Sequence, residues 1–150
     1  MSKRWSKLQS RLYNLMEPSL NFQIHYALYT MHNKKVLHGN ELPRCFITVG
    51  KEIVFDYPKE HDTTNIYGFN SYIWDGEISR ISNFIEEYIQ CPESDLMKDF
   101  ENDRWKLADV LRTCDRRMGK RRLAELKERV TDERLLKIIE KRLVGTTEDI

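Results

Sequence analysis

The chain has 150 residues, 40% of them hydrophobic, and a formal net charge of +1; a chain of this length can bury roughly 70% of its unfolded surface in one core. No apolar run approaches the ~20 residues of a membrane-spanning helix, and the N-terminal segment lacks the apolar region and small-residue cleavage site of a secretion signal. We therefore expect a cytoplasmic protein with no membrane association. Its single domain would cover residues 1–150, with a sheet-containing part over about 1–90 and a helical part over about 94–145.

An amphipathic helix is predicted from near Ser2 to the residues before Pro18, because proline cannot continue a helix. Its apolar side chains recur at helical spacing: Trp5, Leu8, Leu12, Leu15 and Met16. Such a stripe is typical of a helix that packs one face against a core.

A strand is predicted next, over Asn21–His32, where apolar and polar residues alternate strictly. Alternation places every second side chain on the same face of a strand. The face that we expect to be buried carries Phe22, Ile24, Tyr26 and Leu28.

A β-hairpin follows, formed by Arg44–Val49 and Glu52–Tyr57, which are rich in branched and aromatic residues. Gly50 begins the tight turn between them, where glycine suits a positive φ. Pro43 is expected to lie outside the ladder, because proline has no N–H to donate. A hairpin alone is marginal in water, so the preceding strand is predicted to pair with it in an antiparallel meander.

Lys59–Gly76 has no regular pattern, and a loop of that length in a compact domain is often functional. Within it, Ser71–Trp74 is a candidate fourth strand. The aromatic segment Tyr67–Trp74 either covers the open face of the sheet, which we favour, or forms an exposed docking surface.

The rest of the chain is predicted to be helical. A second helix runs from near Asp75 to Cys91, which precedes a proline. Asp103 is a predicted N-cap of a third helix, and Gly119 is predicted to end that helix in the left-handed conformation. Another helix opens after Thr131.

Together these elements predict an α+β fold. It consists of a three- to four-stranded antiparallel sheet packed by an N-terminal and a central helix, with a C-terminal helical bundle.

Several stretches are similar to a family of small, conserved but uncharacterised bacterial cytosolic proteins. They are KLQSRLYNL, NFQIHYALY, LPRCFITVGKEIVFDYPK, ISNFIEEYI and ENDRWKLADVLRTCDRRMGKRRL. The resemblance covers most of the chain, from about Lys7 to Leu126. It implies a bacterial, cytosolic protein and brings no activity, cofactor or catalytic residue with it.

Charge is distributed unevenly along the helical part. Residues 75–103 contain nine acidic and two basic residues, whereas residues 104–129 contain ten basic and four acidic ones. We favour the interpretation that these neighbouring segments exchange surface ion pairs, each of small energy. The alternative is a binding face for an anion.

The basic run DRRMGKRR, Asp115–Arg122, is the candidate for such a face. Glycine at a helix N-terminus, surrounded by arginines, suits a phosphate group. The candidate anion-binding residues are Arg116, Arg117, Lys120, Arg121 and Arg122. The run is neither a P-loop nor an RNA-binding fingerprint. Nearby carboxylates compete for the same guanidinium groups, and we favour such internal pairing for part of the run: Glu86, Glu87, Glu93, Asp95 and Asp103.

No catalytic, cofactor or metal site is predicted. The four histidines (His25, His32, His38 and His61) do not follow any metal-binding spacing. An acid–base pair of His61 with Asp56 or Asp62 is the kind of pairing that chance produces in a chain with 24 carboxylates. The cysteines Cys45, Cys91 and Cys114 form no CxxC motif, and we expect unpaired, buried thiols.

The sequence thus favours a non-enzymatic cytosolic binding or adaptor protein with an unknown protein partner. The alternative is a nucleic-acid or phosphate-ligand binder that acts through Arg116–Arg122. A third reading is an enzyme with its site in the 59–74 loop.

Overall fold

A three-stranded antiparallel sheet and five α-helices make up the part of the chain that the computed structural model describes, residues 3–30, 41–57, 59–61 and 71–148. The strands are β1 (Phe22–Thr30), β2 (Glu41–Val49) and β3 (Glu52–Tyr57), in the order β1-β2-β3. The helices are α1 (Lys3–Tyr13), α2 (Ser71–Gln90), α3 (Leu107–Cys114), α4 (Lys120–Arg129) and α5 (Glu133–Glu148). The predicted α+β fold class with an antiparallel sheet is therefore confirmed.

The register of the sheet follows the alternation in the sequence. Ile24 of β1 lies opposite Ile47 of β2, which lies opposite Phe55 of β3, and all three side chains are buried. The register shifts after Ile47, so that Val54 is an extra residue in β3 and is buried as well. Gly50 has a φ of 61° in the turn, a conformation that glycine adopts without steric cost.

Pro43 lies inside β2, opposite Leu28, so the prediction that it lies outside the ladder is wrong. The pairing of β2 with β3 extends only as far as Cys45 and Tyr57. At Pro43 the strand therefore has a neighbour on one side only, and a proline is tolerated there as it is in an edge strand.

Side chains of α1 satisfy the free edge of β1. Gln9 and Tyr13 donate hydrogen bonds to the carbonyl oxygen of Ile24 at 2.7 and 3.2 Å, and the Tyr13 hydroxyl accepts one from the Ile24 N–H at 3.0 Å. Trp5 stacks on Tyr26 with ring centroids 5.0 Å apart. The three hydrogen bonds with Ile24 pair backbone groups that an edge strand otherwise leaves unpaired.

Helix α2 begins at Ser71, so the candidate fourth strand Ser71–Trp74 is the first turn of this helix instead. Trp74 continues the helical spacing of Ile78, Ile81 and Ile85. The helical period therefore extends further towards the N-terminus than the loop-like composition indicates.

At the junction between α3 and α4, the predicted start of a helix at Gly119 is confirmed, whereas the predicted end of the preceding helix at Gly119 is wrong. Helix α3 ends at Cys114, and Gly119 is the N-cap of α4, with a φ of −77° in the extended region. Gly119 therefore does not take the left-handed conformation. The N-cap of α3 is Lys106, so the prediction that Asp103 takes this position is wrong. The Asp103 carboxylate still accepts hydrogen bonds from three backbone N–H groups at the start of α3 at 2.9–3.1 Å, those of Trp105, Leu107 and Ala108.

One hydrophobic core cluster contains residues from the sheet and from all five helices, from Trp5 to Ile139. Its members include Cys45, Cys91 and Cys114, which are buried and free, as predicted. Burial raises the pKa of the Cys45 and Cys114 thiols to about 12. None of the described helices has the length and apolar character needed to cross a membrane.

Candidate functional site

A cavity of about 240 Å³ lies where β3 and the residues after it meet α3, the end of α4 and the start of α5. This volume exceeds the ~150 Å³ of an apolar cavity that holds benzene. It is below the ~300–1,000 Å³ of sites for drug-sized ligands. The cavity therefore has room for one small molecule.

Apolar side chains from four elements form much of the wall. They are Val54 and Phe55 of β3, Trp105, Val110 of α3, Val130 after α4 and Leu135 of α5. All six are buried, with at most 7% of each residue exposed. They are packed by the same core that holds the sheet to the helices, so this part of the wall is rigid.

His61 contributes the polar feature that distinguishes the cavity. Its ring lies 5.0 Å from the Phe55 ring and 6.2 Å from the Tyr57 ring, centroid to centroid. Its Nδ1 atom is buried and has no hydrogen-bond partner among the residues that the structure describes. Desolvation lowers the pKa of His61 and outweighs the opposing influence of Glu60, Asp56 and Asp103, so the imidazole is neutral at neutral pH.

Six charged side chains also line the cavity, three of each sign: Glu60, Asp109, Asp132, Lys106, Arg129 and Arg134. Arg134 bridges two of the carboxylates, with Nη1 2.7 Å from Glu60 Oε2 and Nη2 2.8 Å from Asp132 Oδ2. These hydrogen bonds raise the pKa of Arg134 and lower that of Asp132. Asp109 accepts from Arg112 at 2.9 Å.

Lys106 has an unusual backbone conformation at the edge of the cavity. Its φ of 56° lies in the left-handed region, which few residues other than glycine, asparagine and aspartate adopt. The Asp103 carboxylate holds the N–H groups on both sides of it, those of Trp105 and Leu107. This clamp sustains a strained conformation of the kind that concentrates at functional sites.

The predicted anion-binding residues lie apart from this cavity, and three of the five have partners within the protein. Arg117 binds the buried Asp115 through two nitrogens at 2.8 and 3.0 Å, and Arg122 lies 3.3 Å from Glu93. Arg116 donates to the carbonyl of Asn14 at 2.8 Å. Lys120 and Arg121 are exposed and have no partner among the described residues. Internal pairing agrees with the interpretation favoured from the sequence: Glu93 is one of the expected carboxylates, whereas Asp115 is not.

Among the described residues, none of the side chains considered for acid–base or metal chemistry forms a hydrogen bond with another of them. Asp56 is buried and forms a two-point ion pair with Arg44 at 2.7 and 2.9 Å. His25 stacks on Phe46 at 4.5 Å, away from the cavity lining. Among the described residues no group of three metal-ligating side chains occurs. His32, His38, Asp62 and most of the aromatic segment 67–74 lie outside the described residues.

The profile of the SF0329 protein family matches residues 4–79 and 76–142. The chain belongs to the SF0329 protein family. The two matched segments include every residue that lines the cavity. No curated protein and no solved structure matches the chain. Membership agrees with the resemblance seen in the sequence, and the description of the SF0329 family names no activity, substrate or partner.

Among the residues that line the cavity of this SF0329 family member, only His61 is a candidate for chemistry in the sequence. It is considered there as an acid–base pair with Asp56 or Asp62. The others come from three segments, around residues 54–61, 105–110 and 129–135. No motif connects these segments in the sequence. The one local signal was the irregular loop after Tyr57, whose first residues, Glu60 and His61, border the cavity.

Proposed function

We propose that the protein is a non-enzymatic binding protein for a small molecule, and that the cavity beside His61 is its binding site. The observation that carries the proposal is a cavity of about 240 Å³ lined by buried apolar side chains and by His61, whose imidazole forms no hydrogen bond with the described residues. Polar groups in protein interiors almost always have a hydrogen-bond partner. A ligand in the cavity would offer the imidazole a partner that the described part of the chain does not.

The chemistry of the lining favours binding over acid–base catalysis. A catalytic histidine is usually oriented by a third group, often a carboxylate. Within the described part of the chain no carboxylate forms a hydrogen bond with His61. Glu60 and Asp132 are engaged by Arg134, and Asp56 is engaged by Arg44.

The surface charges favour a small ligand over a macromolecule. Two acidic residues of the segment 75–103 form ion pairs within the protein: Glu86 pairs with Arg11 at 2.8 Å and Asp99 with Arg129 at 3.5 Å. Part of the basic run Arg116–Arg122 is also paired within the protein.

We place the protein in the reducing cytoplasm of a bacterium, which its free cysteines and the sequence resemblance support.

The test is a binding screen with compounds of about ten non-hydrogen atoms, for which a Kd on the order of 1 mM is expected. The compounds are added to ¹⁵N-labelled protein, and amide chemical shifts are followed by NMR. Compounds that bind should shift the amides of lining residues such as Val110 and Leu135, and should change the fluorescence of Trp105. Replacement of Trp105 by Phe assigns the fluorescence change.

A pair of variants separates the cavity from the general surface. Thr131 is exposed and lines the cavity, whereas Glu133 is equally exposed two residues later and does not. Thr131→Phe should narrow the cavity and weaken binding, and Glu133→Phe should leave binding unchanged. Equal effects of the two substitutions, or a screen in which no compound shifts the lining amides, would reject the proposed function.

A further inference from the structure

We infer, on the basis of the proposed function, that the ligand is a small aromatic compound whose buried part carries no charge and forms one hydrogen bond with the imidazole of His61. The inference rests on three features of the cavity: how its charges are paired, the state of its histidine and the shape of its apolar wall.

The first feature is that the charges in the lining are already compensated. Arg134 donates to both Glu60 and Asp132, and Asp109 accepts from Arg112. Arg129 donates to the carbonyl of Met97 at 3.2 Å and lies 3.5 Å from Asp99. An ion that entered the cavity would lose its hydration without meeting a free counter-charge, and desolvation of an unpaired charge is costly.

Lys106 is the one charged lining residue for which the described part of the chain offers no partner. Its side chain is exposed, so its ammonium group is hydrated and does not act as a buried counter-charge. A buried carboxylate or phosphate group therefore gains little from it.

The second feature is the state of His61. A neutral imidazole offers one N–H donor and one acceptor nitrogen. Because the surroundings of His61 favour its neutral form, a ligand group that meets the imidazole forms an ordinary hydrogen bond and needs no charge. A hydroxyl or an amide on the ligand fits either tautomer of the imidazole, since each of these groups can both donate and accept.

The third feature is the apolar wall. Phe55 and Trp105 present aromatic side chains, and valine and leucine side chains complete the wall. Aromatic rings pack favourably against one another in offset or edge-to-face arrangements. A single substituted ring is slightly larger than the benzene that an apolar cavity of ~150 Å³ holds, and it fits about 240 Å³.

The experiment uses four probes of nearly equal size at pH 7.5: benzyl alcohol, toluene, benzoate and benzylamine. Their affinities for the intact protein are measured by NMR titration of the lining amides. We expect benzyl alcohol and toluene to bind, with benzyl alcohol near 1 mM. Benzoate and protonated benzylamine should bind at least about tenfold more weakly, because their charges find no free partner.

Two histidine variants test the hydrogen bond. In His61→Phe, benzyl alcohol should lose about five- to tenfold in affinity, whereas toluene should not weaken. His25→Phe is the matched control, because His25 is also half-buried but does not line the cavity. It should leave both affinities unchanged. Thermal melting and the amide spectrum of each variant establish that it is folded.

Each contrary outcome has a separate meaning. If benzoate or benzylamine binds as tightly as benzyl alcohol, or if His61→Phe weakens benzyl alcohol and toluene equally, the inference is wrong while the proposed function stands. If none of the four probes binds, the inference is also wrong. The wider screen with the Thr131→Phe and Glu133→Phe pair then decides whether the proposed function is wrong as well.

Discussion

Two buried polar clusters of this protein can be compared, one around Asp115 at the junction of α3 and α4 and one around His61 at the cavity. Each contains a titratable side chain beside aromatic residues: Tyr88 at Asp115, and Phe55 and Tyr57 at His61. Both clusters join segments that are distant in sequence. They differ in how completely their polar atoms are paired.

At the Asp115 junction the pairing is complete. Asp115 Oδ2 accepts from the Tyr88 hydroxyl at 2.6 Å and from Arg117 at 2.8 Å, while Oδ1 accepts from the N–H and Nε of Arg117 at 2.8 and 3.0 Å. Burial, together with the Asp115 charge, raises the pKa of Tyr88 well above its ordinary value, so Tyr88 remains a donor.

The same junction ties the N-terminal segment to the helices. The N–H of Glu17 donates to the carbonyl of Cys114 at 2.8 Å, and the N–H of Arg116 donates to the carbonyl of Leu15 at 2.7 Å. Arg142 of α5 donates to the carbonyls of Thr113 and Asp115 at 2.9 and 3.0 Å. These hydrogen bonds therefore tie both the N-terminal segment and α5 to the junction.

At the cavity the pairing is incomplete. His61 Nδ1 has no partner within the described part of the chain, and Lys106 keeps a left-handed backbone that the Asp103 clamp sustains. The completely paired cluster serves the fold, and the proposed function assigns the incompletely paired one to a ligand. The predictions below test this contrast, from the largest expected effect to the smallest.

Asp115→Ala should lower the free energy of unfolding by about 3–5 kcal/mol, because it leaves the Arg117 guanidinium and the Tyr88 hydroxyl without their buried partner. Chemical denaturation measures the loss. Glu93→Gln is the control, since Glu93 pairs with Arg122 while its own side chain is 60% exposed. It should cost less than about 1 kcal/mol. A similarly small loss for Asp115→Ala would remove the contrast.

Arg142→Met should cost about 2 kcal/mol, because the guanidinium satisfies backbone carbonyls of the junction and a hydrogen bond to a charged group contributes roughly 1.5–3 kcal/mol. The neighbouring Lys141 is exposed, and Lys141→Met should be nearly neutral. Denaturation curves for the two variants that coincide would show that Arg142 does not hold the junction.

His61→Phe should stabilise the ligand-free protein by about 1 kcal/mol, because it removes a buried nitrogen without a partner and keeps an aromatic ring beside Phe55. The change would be visible as a higher midpoint in denaturant. A clear loss of stability would mean that His61 has a structural role, and the comparison would then lose its second member.

The pH dependence of stability should report the same difference. The pKa of His61 is lowered from its ordinary value of 6.5 in the folded protein, so the unfolded chain binds more protons as the pH falls below that value. Its contribution to stability is present above pH 6.5 and is lost as the pH falls towards the lowered pKa. His25 shifts in the same direction. Between pH 7.5 and 5.5, His61→Phe should therefore lose less stability than the wild type, but should retain the part due to His25. Parallel losses in the two proteins would contradict the neutral state of His61.

Lys106→Gly should have the smallest effect, a gain of about 0.5–1 kcal/mol, because glycine adopts a positive φ without steric cost. Lys106→Ala keeps the steric cost and should show no such gain. Thermal melting of the two variants gives the difference, and equal melting temperatures would mean that the left-handed residue stores no strain.

The sequence by itself determined the elements whose signal is local. Alternation in β1, the branched residues around Gly50 and the periodic stripes of α1 and α2 each reflect neighbours within a few positions. In β1 the prediction is confirmed for Phe22 and Ile24, which are buried, whereas Tyr26 is half-buried and the Leu28 side chain lies outside the described residues. Ile47 and Phe55 of the hairpin are buried in the same core.

Local signals were insufficient where distant contacts override them. The segment before Asp75 has the composition of a loop, but α2 begins at Ser71. Gly119 marks the start of α4, and the sequence did not show that α3 ends earlier, at Cys114. The isolated strand pattern also did not reveal that β2 includes Pro43, since that depends on where β3 stops.

Only the tertiary structure decided which charges are paired and where the cavity lies. The basic run was evident in the sequence, but whether Arg117 faces water or Asp115 depends on packing against Tyr88, 29 residues away in sequence. Likewise, His61 and Trp105 meet at one cavity only because β3 and α3 pack together. Their chemistry depends on burial and partners, and both are properties of the packed chain that a residue's neighbours in sequence do not specify.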